Sequence, residues 1–303
     1  METEPDKLNP GRTGLGKHIL TYCRMIKFSH TIFALPFALA AVVLANRQVP
    51  ITFYSMFWIL VAMVAARSAA MGFNRIVDAR IDARNPRTAM REIPAGKLSS
   101  NAAIIFVAVS AGIFVLAAAM LGKLCLILSI PVLAVLFLYS YTKRFTWLAH
   151  LYLGFAISLA PLGAWIALTN SFYSPILLLS LALLTYIAGF DILYACQDTA
   201  FDRQEGLFSI PARFGIHKAL LTARAVHLLA WFFMVAVGLA FDLGVIYYGT
   251  TLCIGALLIF EHRLVNPEDL SKIDIAFFNV NSTISVVLFL GILVDEIIGL
   301  GKL

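Results

Sequence analysis

The chain has 303 residues, of which 61% are hydrophobic and only 13% are charged. Soluble domains are about half apolar and about a quarter charged, so this composition excludes an ordinary soluble protein. The net charge of +6 could indicate a nucleic-acid-binding protein. The basic residues, however, lie in short connections between apolar runs, where membrane proteins carry their cytoplasmic positive charges. We therefore expect membrane lipid around the chain and no nucleic-acid partner.

Apolar runs near 20 residues recur along the whole chain, and this is about the length that a helix needs to cross a hydrocarbon core of roughly 30 Å. They predict an all-α fold, a polytopic membrane bundle of nine transmembrane helices. About 27 polar residues precede the first run, which favours an uncleaved helix over a signal peptide. We expect residues 1–27 to form a polar N-terminal segment and residues 28–303 to form one transmembrane domain. The nine predicted spans lie near residues 28–46, 52–73, 101–120, 122–141, 146–168, 174–195, 218–240, 243–260 and 275–299.

Lys and Arg residues alternate between rich and poor connections along the chain. This alternation predicts a multi-pass membrane protein with its N-terminus in the cytoplasm. We expect the membrane to be a plasma membrane of the bacterial inner-membrane type. The two longest polar connections, residues 74–100 and 191–217, then lie on the same cytoplasmic side. They also hold seven of the 17 acidic residues of the chain.

The first of these connections begins with Asn74, Asp78 and Asp82, spaced by four residues. At about 100° per residue they drift only about 80° around a helix, so they share one face. Carboxylates clustered at the end of an apolar helix repel one another and need a compensating cation. Mg²⁺ fits this need, because it prefers oxygen ligands and commonly bridges a few protein carboxylates to substrate phosphates.

The second connection repeats the pattern with Asp191, Asp198 and Asp202, which fall within roughly 40° of one another on a helix. One such stripe could equally consist of surface ion pairs on a helix end. Two stripes on the same membrane face, each followed by arginines, favour a metal site. The predicted Mg²⁺ ligands are Asn74, Asp78, Asp82, Asp198 and Asp202.

Basic residues near the stripes are candidates for binding the phosphate oxygens that the metal leaves free, namely Arg75, Arg87 and Arg91. Arg67 lies inside the second apolar run, seven residues before Asn74 and on the same helix face. A charge there usually faces a cavity or a partner. We interpret Arg67 as an anion contact, for a diphosphate or for the carboxylate of an acceptor, although an internal ion pair or a snorkelling side chain would also explain it.

Tyr139 and Lys143 form a YxxxK pair at the end of the fourth run. Phosphate binding and anchoring at the membrane interface explain this pair equally well. His30 and His150 show no metal-ligand spacing, so we expect them to serve in packing or to line a cavity.

Together these residues resemble the UbiA superfamily of intramembrane prenyltransferases. The resemblance covers about residues 27–303 and rests on three motifs: NxxxDxxxD with its NPRTAMREIPAG continuation, YxxxK, and DxxYxxxDxxxD, whose tyrosine is Tyr194. It implies a bundle around a central cavity that opens sideways to lipid. It also implies Mg²⁺ on the two Asp motifs, bridging to the diphosphate of a polyprenyl donor, with Lys143 and the loop arginines assisting.

Within that family the chain is most similar to the 4-hydroxybenzoate polyprenyltransferases, which implies transfer of a polyprenyl chain to an aromatic acid in quinone biosynthesis. A hydroxynaphthoate of menaquinone biosynthesis is the alternative acceptor. We expect Asp78, Asp198 and Asp191 to be catalytic. Asp191 lies about two turns deeper than the other Asp residues of its motif, where it could orient or deprotonate the acceptor or support the metal ligands. Arg67, Asp191 and Tyr194 are the predicted acceptor-binding residues.

Two other classes of protein share parts of this pattern. A transporter would place polar residues in broken helices at mid-membrane, whereas the charges here crowd at one face. A lipid phosphotransferase of the CDP-alcohol type uses one compact Asp motif rather than two distant ones. We therefore expect a Mg²⁺-dependent aromatic prenyltransferase.

Overall fold

The computed structural model describes residues 14–300 and shows helices and no strand in that range. Residues 1–13 of the predicted N-terminal segment lie outside it. Short 3-10 helices occupy Phe28–Phe33 and Cys196–Asp198, and a π-helix occupies Ile275–Val280. The α-helices are α1 Gly14–Met25, α2 Leu35–Ala45, α3 Phe53–Asp82, α4 Ser100–Leu121, α5 Lys123–Thr142, α6 Ala149–Thr169, α7 Ile176–Ala195, α8 Thr199–Gln204, α9 Ile210–Phe214, α10 Ile216–Ala240, α11 Val245–Leu264 and α12 Asn281–Leu300.

Eight helical segments of the described residues are long and apolar enough to cross a membrane, and α2 is a ninth, shorter apolar helix. The chain is therefore a multi-pass membrane protein, and the predicted all-α polytopic bundle is confirmed. Large apolar side chains on the outer faces of α4 and α5, such as Ile105 and Ile130, are exposed. A lipid surrounding favours this arrangement, because bilayer tails are as apolar as the side chains that meet them.

The first predicted span is broken, since a 3-10 helix and α2 replace one continuous helix over residues 28–46. Pro36 lies in the first turn of α2 and lacks a backbone N–H, and a proline also disfavours helical geometry in the residue before it. The eleven residues of α2 rise only about 16 Å. Phe37, Ala38 and Leu44 are fully buried, so protein surrounds the break. The bend brings residues of the 3-10 helix to an internal cavity.

Helix α7 lies at the centre of the bundle, packed between α6 and α10. In the segment Ile176–Gln204, 72% of the apolar window is buried in the protein, against 17–39% in the other seven spans. Gly154 of α6 permits the close approach of α6 and α7, because a Cβ there would lie 2.2 Å from the Leu184 carbonyl oxygen. The centre of the bundle therefore holds the start of the second Asp motif in a fixed position.

Helix α3 extends well past its predicted end at residue 73, to Asp82. Its N-terminus is fixed by a capping box between Thr52 and Ser55. Thirty residues rise about 45 Å, more than the thickness of a hydrocarbon core. The last turns of α3 carry the first acidic motif to the end of the bundle, beside the end of α7.

Candidate active site

A polar cavity lies where the ends of α3, α5, α6 and α7 meet α8 and the loop after α3. It brings together eleven of the residues that the sequence predicts for the site, including both Asp motifs, which are more than 100 positions apart. They are Asn74, Asp78, Asp82, Arg87, Arg91, Tyr139, Lys143, Asp191, Tyr194, Asp198 and Asp202.

Asp78 is buried and lies between two basic residues from the end of α5 and the loop after it. Its Oδ2 atom is 2.7 Å from Lys143 Nζ, and its Oδ1 atom is 3.2 Å from an Arg144 guanidinium nitrogen. Asn74 Nδ2 also donates to Oδ2, at 3.1 Å. Two basic side chains thus compensate the buried carboxylate and offset the cost of its desolvation.

Asp82 and Asp198 are compensated in the same way by arginines of the loop after α3. Arg91 donates to both oxygens of Asp82 at 2.7 Å. Arg87 forms a two-pronged ion pair with Asp198, whose Oδ1 also accepts a hydrogen bond from Asn85 Nδ2 at 3.0 Å. Because Asp198 belongs to the second motif, the Arg87 pair directly joins the two motifs.

A second ion pair links the same two regions nearer the surface. Arg84 donates to both carboxylate oxygens of Glu205, at 2.5 and 3.1 Å. The Arg84 side chain is 56% exposed, so this pair contributes modest stability. Its geometric consequence is larger than its energy, because it fixes the loop after α3 against the end of α8.

Asp191 lies deeper in the cavity and forms a pair that the sequence does not reveal. Its Oδ2 atom is 2.7 Å from Nδ1 of His150, a buried residue of α6. The backbone N–H of Ile210 points at the other ring nitrogen of His150, at 3.4 Å. An imidazole held in this way fixes the orientation of the carboxylate beside it.

Asp202 is hydrogen-bonded to Ser209, whose hydroxyl donates to Oδ2 at 2.8 Å. The helix changes type at Cys196, where a 3-10 turn and then α8 continue the chain. The spacing predicts that the second Asp motif lies on one straight helix, whereas in the structure the motif continues through the 3-10 turn into α8. Asp191, Asp198 and Asp202 nevertheless line the same cavity.

Tyr194 connects the polar cavity to the π-helix. Its hydroxyl accepts a hydrogen bond from Arg87 at 2.7 Å, and its ring stacks on Phe277 with the centroids 4.1 Å apart. The Arg87 guanidinium also lies over the Tyr194 ring, 4.9 Å from its centroid. The contact with Phe277 shows how the last helices of the chain support this cavity.

An apolar cavity adjoins the polar one and is lined mainly by α3, α5 and α6 together with the first 3-10 helix. Asn74 and Tyr139 line both cavities, so the charged space and the apolar space meet at these two residues. Ala118, Leu136, Ile157 and other alkyl side chains form most of the wall. The pair of cavities suits a molecule with an anionic head and a hydrocarbon tail.

Arg67 is the cation of the apolar cavity. One guanidinium nitrogen donates to the Lys27 carbonyl at 3.1 Å, while the buried Nε finds no hydrogen-bond partner within residues 14–300. Among the residues that the structure describes, no carboxylate pairs with Arg67. An unpaired charge in such surroundings is costly unless a ligand compensates it.

Arg75 is buried against α1, where its Nε donates to the Met25 carbonyl at 3.0 Å, and it does not line the polar cavity. It follows Asn74 directly, and successive residues point about 100° apart on a helix, so Arg75 faces the neighbouring helix instead of the metal ligands. The diphosphate contact expected of Arg75 stays a prediction.

Lys27 shows the excess of positive charge beside the polar cavity. Burial, followed by the fields of Arg75, Arg91 and Arg87, lowers the pKa of the Lys27 ammonium to about 8. Burial also acts to lower the pKa of Arg87, but its hydrogen bonds to Asp198 and Tyr194 outweigh this and raise that pKa. The cations around the cavity repel one another, and a bound polyanion would relieve this repulsion.

The residues of the polar cavity fit Mg²⁺ by the chemistry of their donors. Five carboxylates and the amide oxygen of Asn74 are hard oxygen ligands, and no thiol lines this cavity. Each of Asp78, Asp82 and Asp198 now holds a cationic side chain that a metal ion could replace. The site thus carries both the ligands for a divalent ion and the cations for its anionic partner.

Comparison with known proteins gives the fold and the site a family. A sequence model described as the UbiA prenyltransferase family matches residues 34–283. The chain belongs to the UbiA prenyltransferase family. It is therefore an enzyme of the prenyltransferase class, and the resemblance seen in the three motifs is confirmed.

Two curated relatives of this UbiA enzyme carry the same name. The 4-hydroxybenzoate octaprenyltransferase of Vibrio atlanticus (strain LGP32) is 30% identical over 222 residues, covering 73% of this chain and 78% of that protein. The 4-hydroxybenzoate octaprenyltransferase of Yersinia pseudotuberculosis serotype IB (strain PB1/+) is 31% identical over 282 residues, covering 90% of this chain and 95% of that protein.

Solved structures agree with the family assignment. An apo structure of a UbiA homologue from Aeropyrum pernix K1 superposes with a TM-score of 0.80 at 34% identity, covering 88% of this chain and 98% of that one. A UbiA homologue from Archaeoglobus fulgidus, solved with GPP and Mg²⁺, gives a TM-score of 0.69 at 16% identity over 90% of this chain and 99% of that one. The second likeness shows a shared fold.

Proposed function

We propose that this enzyme transfers a polyprenyl chain from a polyprenyl diphosphate to an aromatic acid, with 4-hydroxybenzoate as the acceptor, and that it uses Mg²⁺. The observation that carries the proposal is the junction of the two cavities at Asn74 and Tyr139. The diphosphate head would lie in the polar cavity and the chain in the apolar one. The names of the curated relatives support the acceptor.

In this proposal Asn74, Asp78, Asp82, Asp198 and Asp202 hold the metal. When bound, Mg²⁺ would offset the negative charge that develops on the leaving diphosphate. Arg87, Arg91 and Lys143, now paired with three of these carboxylates, would turn to the phosphate oxygens. Because each cation has a carboxylate partner until the donor arrives, none is left unpaired without substrate.

The apolar cavity holds the hydrocarbon chain and keeps water from the reacting carbon. Burying the chain gains roughly 0.8 kcal/mol per CH₂, so the donor stays within the bundle or the surrounding lipid. The Tyr139 ring lies at the junction, where the C–O bond of the donor would break, and an aromatic face there would stabilise positive charge on the allylic carbon. Exclusion of water prevents hydrolysis of that carbon.

Arg67 and Asp191 would hold the two ends of the acceptor. The Arg67 guanidinium, which meets no carboxylate in the part of the chain that the structure describes, suits the acceptor carboxylate. Asp191, fixed by His150, suits the acceptor hydroxyl. Asp191 would accept the hydroxyl hydrogen bond, which raises electron density on the neighbouring ring carbon that forms the new bond. The C–H bond of that carbon would then break, and its proton would pass to the pyrophosphate released from the donor. Tyr194 lines the same cavity beside Asp191, and we place it against the acceptor ring.

Product analysis by mass spectrometry tests this proposal. The enzyme, purified in detergent, is supplied with Mg²⁺, with donors of several lengths, and with either 4-hydroxybenzoate or a hydroxynaphthoate. We expect a prenylated 4-hydroxybenzoate, release of pyrophosphate, and loss of both on chelation of Mg²⁺. Prenylation of the naphthoate alone would contradict the acceptor assignment, and turnover that survives chelation would contradict the metal.

We also propose that the polar cavity faces the cytoplasm, with the N-terminus on the same side. The charge alternation along the chain supports this orientation, because Lys and Arg residues concentrate in the loops that border the cavity. Pyrophosphate would then leave directly into the cytoplasm. Labelling of single cysteines introduced in the loop 84–99 tests the orientation: we expect reaction with an impermeant reagent only in inverted vesicles, and reaction in intact cells would contradict it.

A further inference from the structure

Three side chains that commonly bind metals meet inside the bundle, where α11 packs against α10 and α12. They are His227 of α10 and two consecutive residues near the end of α11, Glu261 and His262. His227 and Glu261 are buried, and His262 is half-buried. None of the three lines the polar or the apolar cavity, so the proposed prenyl transfer does not use them.

The separations of their ligand atoms fit a small tetrahedral ion. His227 Nδ1 is 3.0 Å from His262 Nε2 and 3.5 Å from Glu261 Oε2. Each of the three residues offers one ligand atom, and these atoms all lie within 4.8 Å of one another. Zn²⁺ binds imidazole nitrogen and carboxylate oxygen at about 2.0–2.2 Å in tetrahedral geometry, which places neighbouring ligand atoms about 3.3 Å apart. The two measured separations lie on either side of that value.

The hydrogen bonds of His227 leave its Nδ1 atom available as a ligand. His227 Nε2 is 3.1 Å from the Tyr186 carbonyl oxygen, which can only accept, so Nε2 carries the proton. In a neutral imidazole the Nδ1 atom then carries an in-plane lone pair. A hydrogen bond from His262 could satisfy this lone pair, but Glu261 Oε2 would still be buried without a hydrogen-bond partner among the described residues. A cation between the three atoms satisfies all of them.

The groups around the cluster are those that usually orient metal ligands. Ligating histidines commonly donate their second N–H to a backbone carbonyl, as His227 does, and ligating carboxylates are themselves hydrogen-bonded. Asn281 Nδ2 donates to Glu261 Oε1 at 2.8 Å, which turns Oε2 toward the histidines. Gly189 of α7 makes room for the imidazole, because a Cβ there would lie 2.0 Å from His227 Cδ2.

We propose that His227, Glu261 and His262 bind one structural Zn²⁺ ion, separate from the Mg²⁺ of the polar cavity, with water as the fourth ligand on the half-buried side near His262. Mixed nitrogen and oxygen donors suit Zn²⁺, whereas Mg²⁺ prefers oxygen alone. The exposed Arg224 is the cation whose field reaches His262, and it opposes metal binding. Its removal therefore leaves the affinity for Zn²⁺ unchanged or increases it.

The ion would stabilise the support of the polar cavity. Asn281 Nδ2, besides holding Glu261, lies 3.0 and 3.2 Å from the carbonyl oxygens of Ala276 and Phe277 in the π-helix. Phe277 in turn stacks on Tyr194, which lines the polar cavity. The Zn²⁺ site therefore has a structural and positioning role, and it contacts no substrate.

Metal content of the purified enzyme tests this proposal without any assay of prenyl transfer. The protein is purified in detergent through a tag that contains no histidine, incubated with micromolar Zn²⁺, desalted and analysed by mass spectrometry for transition metals. We expect about one Zn²⁺ per chain in the wild type, as a single site requires. We expect the amount of Zn²⁺ bound per chain to fall at least tenfold in Glu261→Gln and in His262→Gln, because each substitution removes one of the three protein ligands.

Two exposed residues provide matched controls, since His217→Gln and Glu268→Gln make the same chemical changes outside the cluster and should keep the Zn²⁺. Arg224→Gln should keep it as well. If the Glu261 and His262 variants do not fold, the wild type still decides: its thermal midpoint should rise with Zn²⁺ and fall with a chelator selective for zinc over magnesium. Wild-type protein without Zn²⁺, with another metal in its place, or with Zn²⁺ that the variants retain would overturn the proposal. None of these results depends on the identity of the prenyl acceptor.

Discussion

The polar and apolar cavities adjoin at Asn74 and Tyr139, but they differ in whether their charged side chains have partners of opposite charge. In the polar cavity Asp78, Asp82 and Asp198 are each paired with a basic side chain. In the apolar cavity Arg67 lies among alkyl side chains, and no carboxylate of residues 14–300 pairs with it. A cation that is paired with a carboxylate can exchange that carboxylate for a phosphate of the donor. Arg67 has no such carboxylate among the described residues, so an anionic ligand would compensate its charge. The difference predicts that substitutions in the two cavities will change different kinetic constants.

The largest effect within this comparison is expected from Asp191 of the polar cavity. Asp191→Asn keeps the size of the side chain but removes its basicity, so kcat should fall by about 10²-fold or more. Donor binding should stay near normal, because Asp191 is not among the proposed metal ligands. Single-turnover kinetics together with a donor-binding assay measure both quantities.

His150 sharpens this prediction, because it acts through Asp191. His150→Asn should lower kcat less than Asp191→Asn does, and the double variant should be no worse than Asp191→Asn alone, since the two side chains act as one unit. If Asp191→Asn leaves turnover and donor binding unchanged, its assigned role is wrong. If the losses in kcat add in the double variant, His150 does not act through Asp191.

Arg67 should affect acceptor binding and leave donor binding unchanged. A hydrogen bond to a charged group contributes about 1.5–3 kcal/mol, so Arg67→Met should raise KM for the aromatic acid by about 10- to 100-fold. Arg67→Lys retains the charge and should lose less. The deciding measurement uses a phenol without the carboxylate, for which wild type and Arg67→Met should be alike; an equal loss with that phenol would remove Arg67 from acceptor binding.

A smaller effect is expected from the wall of the apolar cavity. A Cβ added at Gly163 would meet no atom within 4 Å, so Gly163→Leu can fill cavity space without displacing the backbone. We expect a few-fold rise in KM for long donors and no change for geranyl diphosphate. Gly112→Leu on α4 is the control, because it also meets no atom and lies outside the cavity. An equal change for short and long donors would contradict this use of the cavity.

The smallest effect concerns Lys27 and the cations that crowd the polar cavity. Its pKa is about 8 in the folded chain against an ordinary 10.5, so between these pH values the unfolded chain binds more protons. Its contribution therefore makes the free energy of unfolding rise with pH across that window. Lys27→Met should reduce the increase of the thermal midpoint with pH, measured in detergent. Lys97→Met, at an exposed position, should leave that increase unchanged. Identical pH profiles for wild type and Lys27→Met would contradict the assignment.

Sequence reasoning reached most of the site because helical spacing determines which residues share a face. Asn74, Asp78 and Asp82 lie along one stripe of α3, as their four-residue spacing requires. Arg75 shows the limit of selecting residues by proximity along the chain, since one step around the helix turns it toward α1. A helical projection of the same motif would have separated it from the metal ligands.

Other features depend on tertiary contacts that no local pattern contains. His150 precedes Asp191 by 41 residues and meets it only because α6 packs against α7. The His227–Glu261–His262 cluster likewise joins residues more than 30 positions apart. The break before α2 had a visible cause in Pro36, but the length of the apolar run concealed it.

The most direct test of the central claim is a double-mutant cycle on Asp78 and Asp198, measured by the binding of a non-hydrolysable polyprenyl diphosphate analogue with and without Mg²⁺. If both Asp motifs bind the same Mg²⁺–diphosphate group, Asp78→Asn and Asp198→Asn will each abolish the gain in donor affinity that Mg²⁺ provides. The double variant will then bind no more weakly than either single variant. A Mg²⁺-dependent gain that persists in both single variants, or losses that simply add, would contradict a shared site.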